Sequence, residues 1–406
     1  MSSSIKNLVN EIWHGLSIKI MALVSRGIFL FIVVPHLVAG ELTDYVFMTT
    51  IALLSARFLT MGMEEQLPLA IAGRRNVAEF FSPLVSLMIV IEIFVGLVFV
   101  LSSGVVLSAA LLASSYVTTS LFAGLLRSVN VSAAERLRDL HWIIFSSVCL
   151  LPFSWDAGQL MGLLSISLMC IHLLELRICK ISIKLNLFNW GEVWAQCRKQ
   201  IRSAWKKLIG SYTVVAIVRG IVLWATVLGH GFDLDNIAYA LLLGEAFLQT
   251  AMVLVYRRYA SYCGTLSENY PQMKKNALYA ILILMAYASI AASFAYVLEF
   301  LGVIIGRFAD WKDVALIFSF FGMVSCYLLL RYLTWVVKDF DWVLVCLEIF
   351  LILAEGFLVV TTDQSDWVVG LLVIASGFLF FTIGYVLLVV KPGSVNHRTY
   401  IGRWTD

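Results

Sequence analysis

Long apolar runs separated by short polar connections fill most of this chain. Read as segments able to cross about 30 Å of hydrocarbon, the runs predict twelve membrane-spanning helices. They cover residues 15–38, 45–66, 82–102, 104–126, 141–155, 157–176, 208–229, 236–256, 277–300, 314–337, 342–361 and 367–390, of which the fifth and sixth are short. The pattern therefore predicts an all-α, polytopic membrane protein.

The longest polar connection, residues 177–207, leaves six predicted spans on each side. It mixes basic with aromatic residues, which is typical of an amphipathic helix on a membrane surface. We predict an N-terminal six-helix bundle over 1–176, this elbow over 177–207, a C-terminal six-helix bundle over 208–390 and a tail over 391–406. Such basic segments normally meet anionic lipid, so membrane lipid, and not nucleic acid, is the expected partner.

Composition supports this view of the chain. Of 406 residues, 61% are hydrophobic and 14% charged, and the mean hydropathy is +0.91; soluble domains carry about 25% charged residues. The seven cysteines are scattered without a C-x-x-C pair, which favours neither disulfides nor a metal site. No nucleophile elbow, Walker loop or zinc-binding signature is present in the sequence, so we expect neither an enzyme nor a cofactor.

The basic residues indicate an orientation. If the amino terminus is cytoplasmic, the outward connections contain only Arg307 and Lys312, whereas the inward ones contain all the other basic residues outside the spans. This asymmetry follows the positive-inside rule. It places both termini of this expected multi-pass protein in the cytoplasm.

The two halves share a local pattern. Arg26-Gly27 in the first span corresponds to Arg219-Gly220 in the seventh, and a tyrosine follows each arginine after an acidic connection, at Tyr45 and Tyr239. Two halves that both start inside would form a parallel repeat, with its pseudo-axis along the membrane normal.

Several cations fall within predicted spans, where an arginine costs roughly 2.5–3.5 kcal/mol on insertion scales. Lys19 and Arg26 lie seven residues apart in the first span, on nearly the same face; Arg57 lies in the second and Arg219 in the seventh. Counted from the span ends, the three arginines come out at mid-depth. Guanidinium groups bind phosphate through paired, charge-assisted hydrogen bonds, so these four residues are the predicted binding site for an anionic substrate.

The carboxylates within spans have two possible roles. They are Glu92 in the third span, Glu245 in the eighth, and Glu348 and Glu355 in the eleventh. Such groups can bind H⁺ or Na⁺ and couple an ion gradient to transport. Alternatively, they balance the charge of the buried arginines.

The chain resembles a known family in its opening pattern. Gly15-Leu-Ser-Ile-Lys, Arg26-Gly27, Val34-Pro35 and Gly40-Glu41-Leu42-Thr43-Asp44-Tyr45, with a second span that closes on Phe58-Leu59-Thr60-Met61-Gly62-Met63, resemble the start of Wzx-type polysaccharide (O-antigen) flippases of the multidrug, oligosaccharidyl-lipid and polysaccharide (MOP) exporter superfamily. The resemblance implies two six-helix bundles around a central cavity. It also implies a polyprenyl-pyrophosphate-linked oligosaccharide as cargo, carried outward across a bacterial cytoplasmic (inner) membrane for lipopolysaccharide-type surface polysaccharide synthesis. Other polysaccharide-assembly membrane proteins are then candidate partners.

Three other functions remain open at this point. An H⁺- or Na⁺-coupled multidrug-type exporter of amphipathic cations would need acidic residues around the first-half cavity. A membrane glycan polymerase or ligase would need a positioned base or a large outward loop, and the predicted outward loops are short. A non-transporting scaffold would tolerate neutralisation of the charges within the spans.

Overall fold

The computed structural model describes residues 17, 19–60, 86, 90, 105–129, 131–151, 154–179, 190–228, 234–265, 270–301, 311–338, 341–362 and 366–390. In these ranges the chain is helical and contains no strand, so the all-α prediction is confirmed. Its helices are α1 (Lys19–His36), α2 (Glu41–Thr60), α3 (Val105–Val129), α4 (Val131–Cys149), α5 (Ala157–Cys179), α6 (Trp190–Leu228), α7 (Leu234–Thr265), α8 (Tyr270–Phe300), α9 (Trp311–Lys338), α10 (Trp342–Thr361) and α11 (Trp367–Gly384).

The helices have the length and apolar character of membrane spans. Among the described residues, eight are long and apolar enough to cross a bilayer: Lys19–His36, Glu41–Thr60, Lys207–Leu228, Leu234–Tyr259, Tyr270–Phe300, Lys312–Lys338, Trp342–Thr361 and Trp367–Val389. Shorter apolar stretches, Leu107–Leu121 and Ala157–Ile171, lie in α3 and α5. The chain is therefore a multi-pass membrane protein, and the eight spans and two shorter apolar helices in the described part are roughly consistent with the predicted twelve. The predicted third span, 82–102, lies almost wholly outside the described residues.

Two elements differ from their predicted bounds. The fifth span was expected over 141–155, but α4 begins ten residues earlier, at Val131, and ends at Cys149. The elbow was expected as a separate surface helix, but from Trp190 onward it continues without a break into the seventh span as α6, a helix of 39 residues. At 1.5 Å per residue, α6 is about 58 Å long.

The chain divides into two compact units. The first unit comprises Val24–Phe29 and His36–Val215, and the second comprises Met1–Leu23, Leu30–Pro35 and Ala216–Asp406. In the first unit, α3 packs against α2, α4 and α5; in the second, α9 packs against α7, α8 and α11. The domain boundaries given by the sequence stay a prediction.

Local chemistry explains where α1 and α2 meet. Pro35 has no N–H and its ring obstructs the regular helix before it, and α1 ends in a π turn, Phe29–Val33, followed by a 3-10 turn, Val34–His36. Gly40 then adopts φ +90°, a left-handed conformation that a residue without a Cβ adopts at little cost. The chain can thus reverse direction before Glu41.

The amino end of α5 is fixed by three side chains. The Asp156 carboxylate accepts from the Gln159 N–H at 2.7 Å, and the Gln159 side chain accepts from the Asp156 N–H at 3.3 Å. The N–H of Ala157 donates to Glu41 Oε2 at 2.6 Å. This reciprocal capping satisfies donors that the helix itself leaves unpaired and ties the start of α2 to the start of α5.

The carboxyl end of α11 is held by α8. Lys274 Nζ donates to the Leu387 carbonyl at 2.6 Å, and the Tyr270 hydroxyl donates to the Val390 carbonyl at 2.8 Å. These carbonyls lie at the end of the π turn Tyr385–Val389, which continues α11. A lysine at a helix carboxyl end also complements the helix dipole, so α8 supplies partners that the last helix cannot supply itself.

Candidate functional site

Arg219 of α6 forms a two-point ion pair in the second unit. Its Nη2 donates to Glu245 Oε2 of α7 at 2.8 Å, and its Nε donates to the other oxygen, Oε1. The two side chains are 9% and 12% exposed. A guanidinium and a carboxylate in this parallel arrangement make a strong, directional pair. Glu245 therefore balances the charge of Arg219.

A second ion pair lies deeper in the same unit. Arg331 Nε of α9 lies 3.1 Å from Glu348 Oε1 of α10, and the side chains are 2% and 1% exposed. The Tyr327 hydroxyl donates to the same oxygen. The Arg331 guanidinium also lies 4.1 Å from the centre of the Trp335 ring. Glu348, like Glu245, thus has a cationic partner.

Glu355 of α10 has a different environment. Its side chain is buried, at 1% exposure, and neither carboxyl oxygen has a hydrogen-bond partner among the residues that the structure describes. It lies against Gly220 of α6, where an added Cβ would overlap Glu355 Oε2. Of the predicted coupling or charge-balancing residues, Glu355 therefore has the setting of a neutral, protonated carboxyl. Glu92 lies outside the described residues.

Close helix packing keeps Glu355 beside α6. The Trp224 indole N–H of α6 donates to the Ile352 carbonyl of α10 at 3.1 Å. The same ring lies over Gly356, where an added Cβ would come within 2.8 Å of it. Glycine at positions 220 and 356 thus lets the two helices approach closely, and the carboxyl of Glu355 fills the space beside Gly220.

In the first unit, Arg26 is placed by aromatic side chains. It is 6% exposed, and its guanidinium lies 4.1 Å from the centre of the Trp142 ring. Trp142 packs edge-on against Phe145 at 5.5 Å, and Phe145 lies 5.0 Å from Phe29. Cation–π stacking of this kind is worth about 2 kcal/mol or more when desolvated, so it accounts for part of the stability of a charge at this depth.

The contact between α1 and α4 also includes residues that the sequence did not single out. The Ser146 hydroxyl donates to the Ser25 carbonyl at 2.6 Å. Asp139, one turn before Trp142, is 3% exposed. The prediction missed Asp139 because it placed residue 139 before the fifth span. The available signal was its three-residue spacing from Trp142, which puts both on one helix face.

The four predicted substrate-binding cations belong to different units. Arg26 and Arg57 are in the first unit, whereas Lys19 and Arg219 are in the second. Lys19 is buried and Arg57 is half-buried. Arg26 lies ten residues before His36, where α1 ends, and Arg57 lies sixteen residues after Glu41, where α2 begins. The convergence of the three arginines stays a prediction.

The repeated positions match in burial and in their spacing to the helix end, although Arg26 stacks on Trp142 and Arg219 pairs with Glu245. Arg26 lies ten residues before the end of α1 at His36, and Arg219 lies nine before the end of α6 at Leu228. Both arginines are buried, and so are the corresponding tyrosines, Tyr45 and Tyr239.

Within the described ranges no group of three His, Cys, Asp or Glu side chains is placed to hold a metal ion.

Comparison with known proteins identifies the fold. No protein-family model and no curated protein sequence matches the chain. An outward-facing multidrug resistance MATE family transporter of the MOP superfamily matches with a TM-score of 0.60 and 14% sequence identity, over 97% of this chain and 94% of that one. The chain has a MATE-like fold.

Other solved structures agree with this MATE-like fold. MATE in complex with MaD3S matches with a TM-score of 0.62 at 14% identity, over 97% of this chain and 95% of that one. MATE in the bent conformation matches with a TM-score of 0.57 at 16% identity, over 98% of this chain and 95% of that one. These neighbours are transporters of the superfamily to which the sequence resemblance pointed. At this identity they show the fold alone and do not distinguish the Wzx-type branch.

Proposed function

We propose that this chain is a membrane transporter that moves amphipathic cargo by alternating access. The observation that carries the proposal is the MATE-like fold, which extends over 97% of the chain. The buried charges on α1, α6, α9 and α10 support it, because ionisable groups inside membrane helices normally mark a substrate or ion pathway. An enzyme or a passive scaffold would leave both observations unexplained.

The first candidate cargo is an amphipathic organic cation, exported in exchange for H⁺ or Na⁺. It is favoured by the solved structures of this fold, since one is a multidrug resistance transporter. It is also favoured by Glu355, a buried carboxyl without a hydrogen-bond partner among the described residues. In this scheme Glu355 binds the coupling proton, whereas Glu245 and Glu348 neutralise Arg219 and Arg331.

The second candidate cargo is a polyprenyl-pyrophosphate-linked oligosaccharide, flipped across a bacterial inner membrane. It is favoured by the buried cations Lys19 and Arg26. The guanidinium of Arg26 occupies the face of Trp142, on which an organic cation would otherwise stack, so this site suits an anion better than a cation. In this scheme Arg26 and Arg57 of the first unit bind phosphate.

Transport into proteoliposomes decides between the candidates. Vesicles with an imposed pH or Na⁺ gradient are supplied with either a fluorescent amphipathic cation or a fluorescent polyprenyl-pyrophosphate oligosaccharide. A cation exporter accumulates the first probe under a gradient and loses coupling in Glu355→Gln. A flippase protects the second probe from an external quencher and fails to do so in Arg26→Gln. If neither probe moves in vesicles that contain correctly inserted protein, the transporter proposal is wrong.

A further inference from the structure

Two carboxyl groups from different helices lie within reach of one guanidinium in the second unit. Arg219 of α6 pairs with Glu245 of α7. Glu355 of α10 fills the space beside the next residue, Gly220, where an added Cβ would overlap Glu355 Oε2. Since successive Cα atoms are 3.80 Å apart, this oxygen lies at most about 8 Å from the Arg219 Cα. An extended arginine side chain covers that distance and can donate a hydrogen bond at its end.

The charged residues on the helices around Glu355 identify Arg219 as the cation with which it can pair. On α9, Arg331 is engaged by Glu348, which lies seven residues before Glu355 on α10. The residues of α11, which packs against α10, include no charged side chain between 367 and 384. On α7, the facing group is the carboxylate of Glu245. Among the described residues, Arg219 is thus the cation that pairs with Glu245 and that also lies next in sequence to the glycine in contact with Glu355.

Both carboxyls cannot be ionised at low cost around a single guanidinium. A buried ionised carboxylate without a partner is strongly disfavoured, and it takes up a proton instead. With Arg219 on Glu245, as the structure has it, Glu355 is therefore the protonated member. If the guanidinium turned to Glu355, the same argument would place the proton on Glu245.

We infer that Glu245 and Glu355 are alternative partners of Arg219 and hold one proton between them. When Arg219 moves from Glu245 to Glu355, the O–H bond of Glu355 breaks and one forms on Glu245, so the net charge of the three groups stays at zero. In one state α6 is tied to α7, and in the other it is tied to α10. The use of this exchange to couple protons to cargo rests on the proposed function, but the exchange itself does not.

Infrared spectroscopy of the purified protein tests the inference without any cargo. The carbonyl stretch of protonated carboxylic acids is measured, and each variant is subtracted from the wild type. Glu355→Gln should remove one carboxylic-acid component, and Glu245→Gln should also remove one, because Arg219 then ionises Glu355. The double variant should remove no more than either single variant. Arg219→Gln should roughly double the component, because both carboxyls then become protonated.

The decisive outcome is that of Glu245→Gln. If Glu355 were simply a neutral core residue, this variant would keep the component at wild-type area, and the inference would be overturned. Arg219→Gln with no gain in area would overturn it equally, so the inference stays falsifiable even if Glu245→Gln does not fold. Glu299→Gln, an exposed glutamate of the same unit, is the matched control and should leave the band unchanged.

The same variants separate this inference from the proposed function. Transport that is absent for both cargo classes, together with the infrared pattern described above, would reject the transporter and keep the shared proton. Normal transport together with an unchanged carboxylic-acid band in Glu245→Gln would keep the transporter and reject the shared proton.

Discussion

The Arg331–Glu348 pair gives the sharpest test of how this protein stabilises charge within its helices. The pair is nearly inaccessible, at 2% and 1% exposure, with Nε and Oε1 3.1 Å apart. Replacing Arg331 with methionine leaves Glu348 buried, with the Tyr327 hydroxyl as a remaining donor. Removing one partner of a buried ion pair typically costs about 3–5 kcal/mol, and loss of the stacking on Trp335 adds to this figure.

Replacing both partners should cost far less than the two single changes added together. In Arg331→Met/Glu348→Met neither charge of the pair remains. The residual cost is that of the Tyr327 hydroxyl without its acceptor, about 1–3 kcal/mol, together with the lost stacking on Trp335. The single variants would sum to about 6–10 kcal/mol on the same scale. Adding Tyr327→Phe should bring the free energy of unfolding back towards that of the wild type.

The measurement is reversible unfolding by SDS in mixed micelles, with all four variants and the wild type at one pH. Lys338→Met is the matched control, because the Lys338–Asp341 pair has a similar N–O distance, 3.0 Å, but the Lys338 side chain is 31% exposed. The Asp341 carboxylate is 5% exposed, but in this variant it keeps the Val343 N–H and the Tyr385 hydroxyl as donors, so the loss should be well below the roughly 3–5 kcal/mol expected for the fully buried pair. If the double Met variant costs as much as the sum of the singles, the two side chains are not energetically coupled and the reasoning is refuted.

Three further predictions use the same unfolding assay. Gly244→Ala should destabilise by about 1–3 kcal/mol, because an added Cβ would overlap the ring of a buried phenylalanine, whereas Gly377→Ala, with nothing within 4 Å, should be neutral; equal effects would contradict the packing argument. Trp142→Leu should lower the free energy of unfolding more in the wild type than in the Arg26→Gln background, because the cation–π contact is already absent in that background; equal losses in the two backgrounds would refute a cation–π contribution. Glu41→Ala should cost about 1.5–3 kcal/mol through the first N–H of α5, whereas Glu41→Gln, which keeps an acceptor, should cost less.

The sequence predicted those spans best whose apolar runs are unbroken. The predicted 342–361 and 367–390 agree with Trp342–Thr361 and Trp367–Val389, because hydrophobic length decides the position of such a helix. The prediction was wrong for the fifth span, because α4 begins in a polar stretch that contains Asp139. Tertiary packing against α3 and α5 stabilises that stretch, and hydropathy does not register it.

The candidate site was predictable in its residues but not in its pairing. Charged residues within apolar runs stand out in the sequence alone, and they include Arg219, Glu245, Glu348 and Glu355. Which carboxylate meets which guanidinium depends on the rotation of each helix about its axis, and spacing along one chain does not determine that. The setting of Glu355, which has no hydrogen-bond partner among the described residues, likewise depends on a contact with Gly220, 135 residues away in the sequence.

The length of α6 offers a way to observe motion at Arg219 from a distance. The helix is unbroken from Trp190 to Leu228, and the exposed residue Arg198 lies 21 residues before Arg219, about 32 Å along the axis. A rod of that length acts as a lever, so a tilt of roughly 5° about Arg219 would displace Arg198 by about 3 Å. A spin label at Arg198→Cys in a cysteine-free background could therefore report exchanges of an ion pair that are too small to follow where they occur.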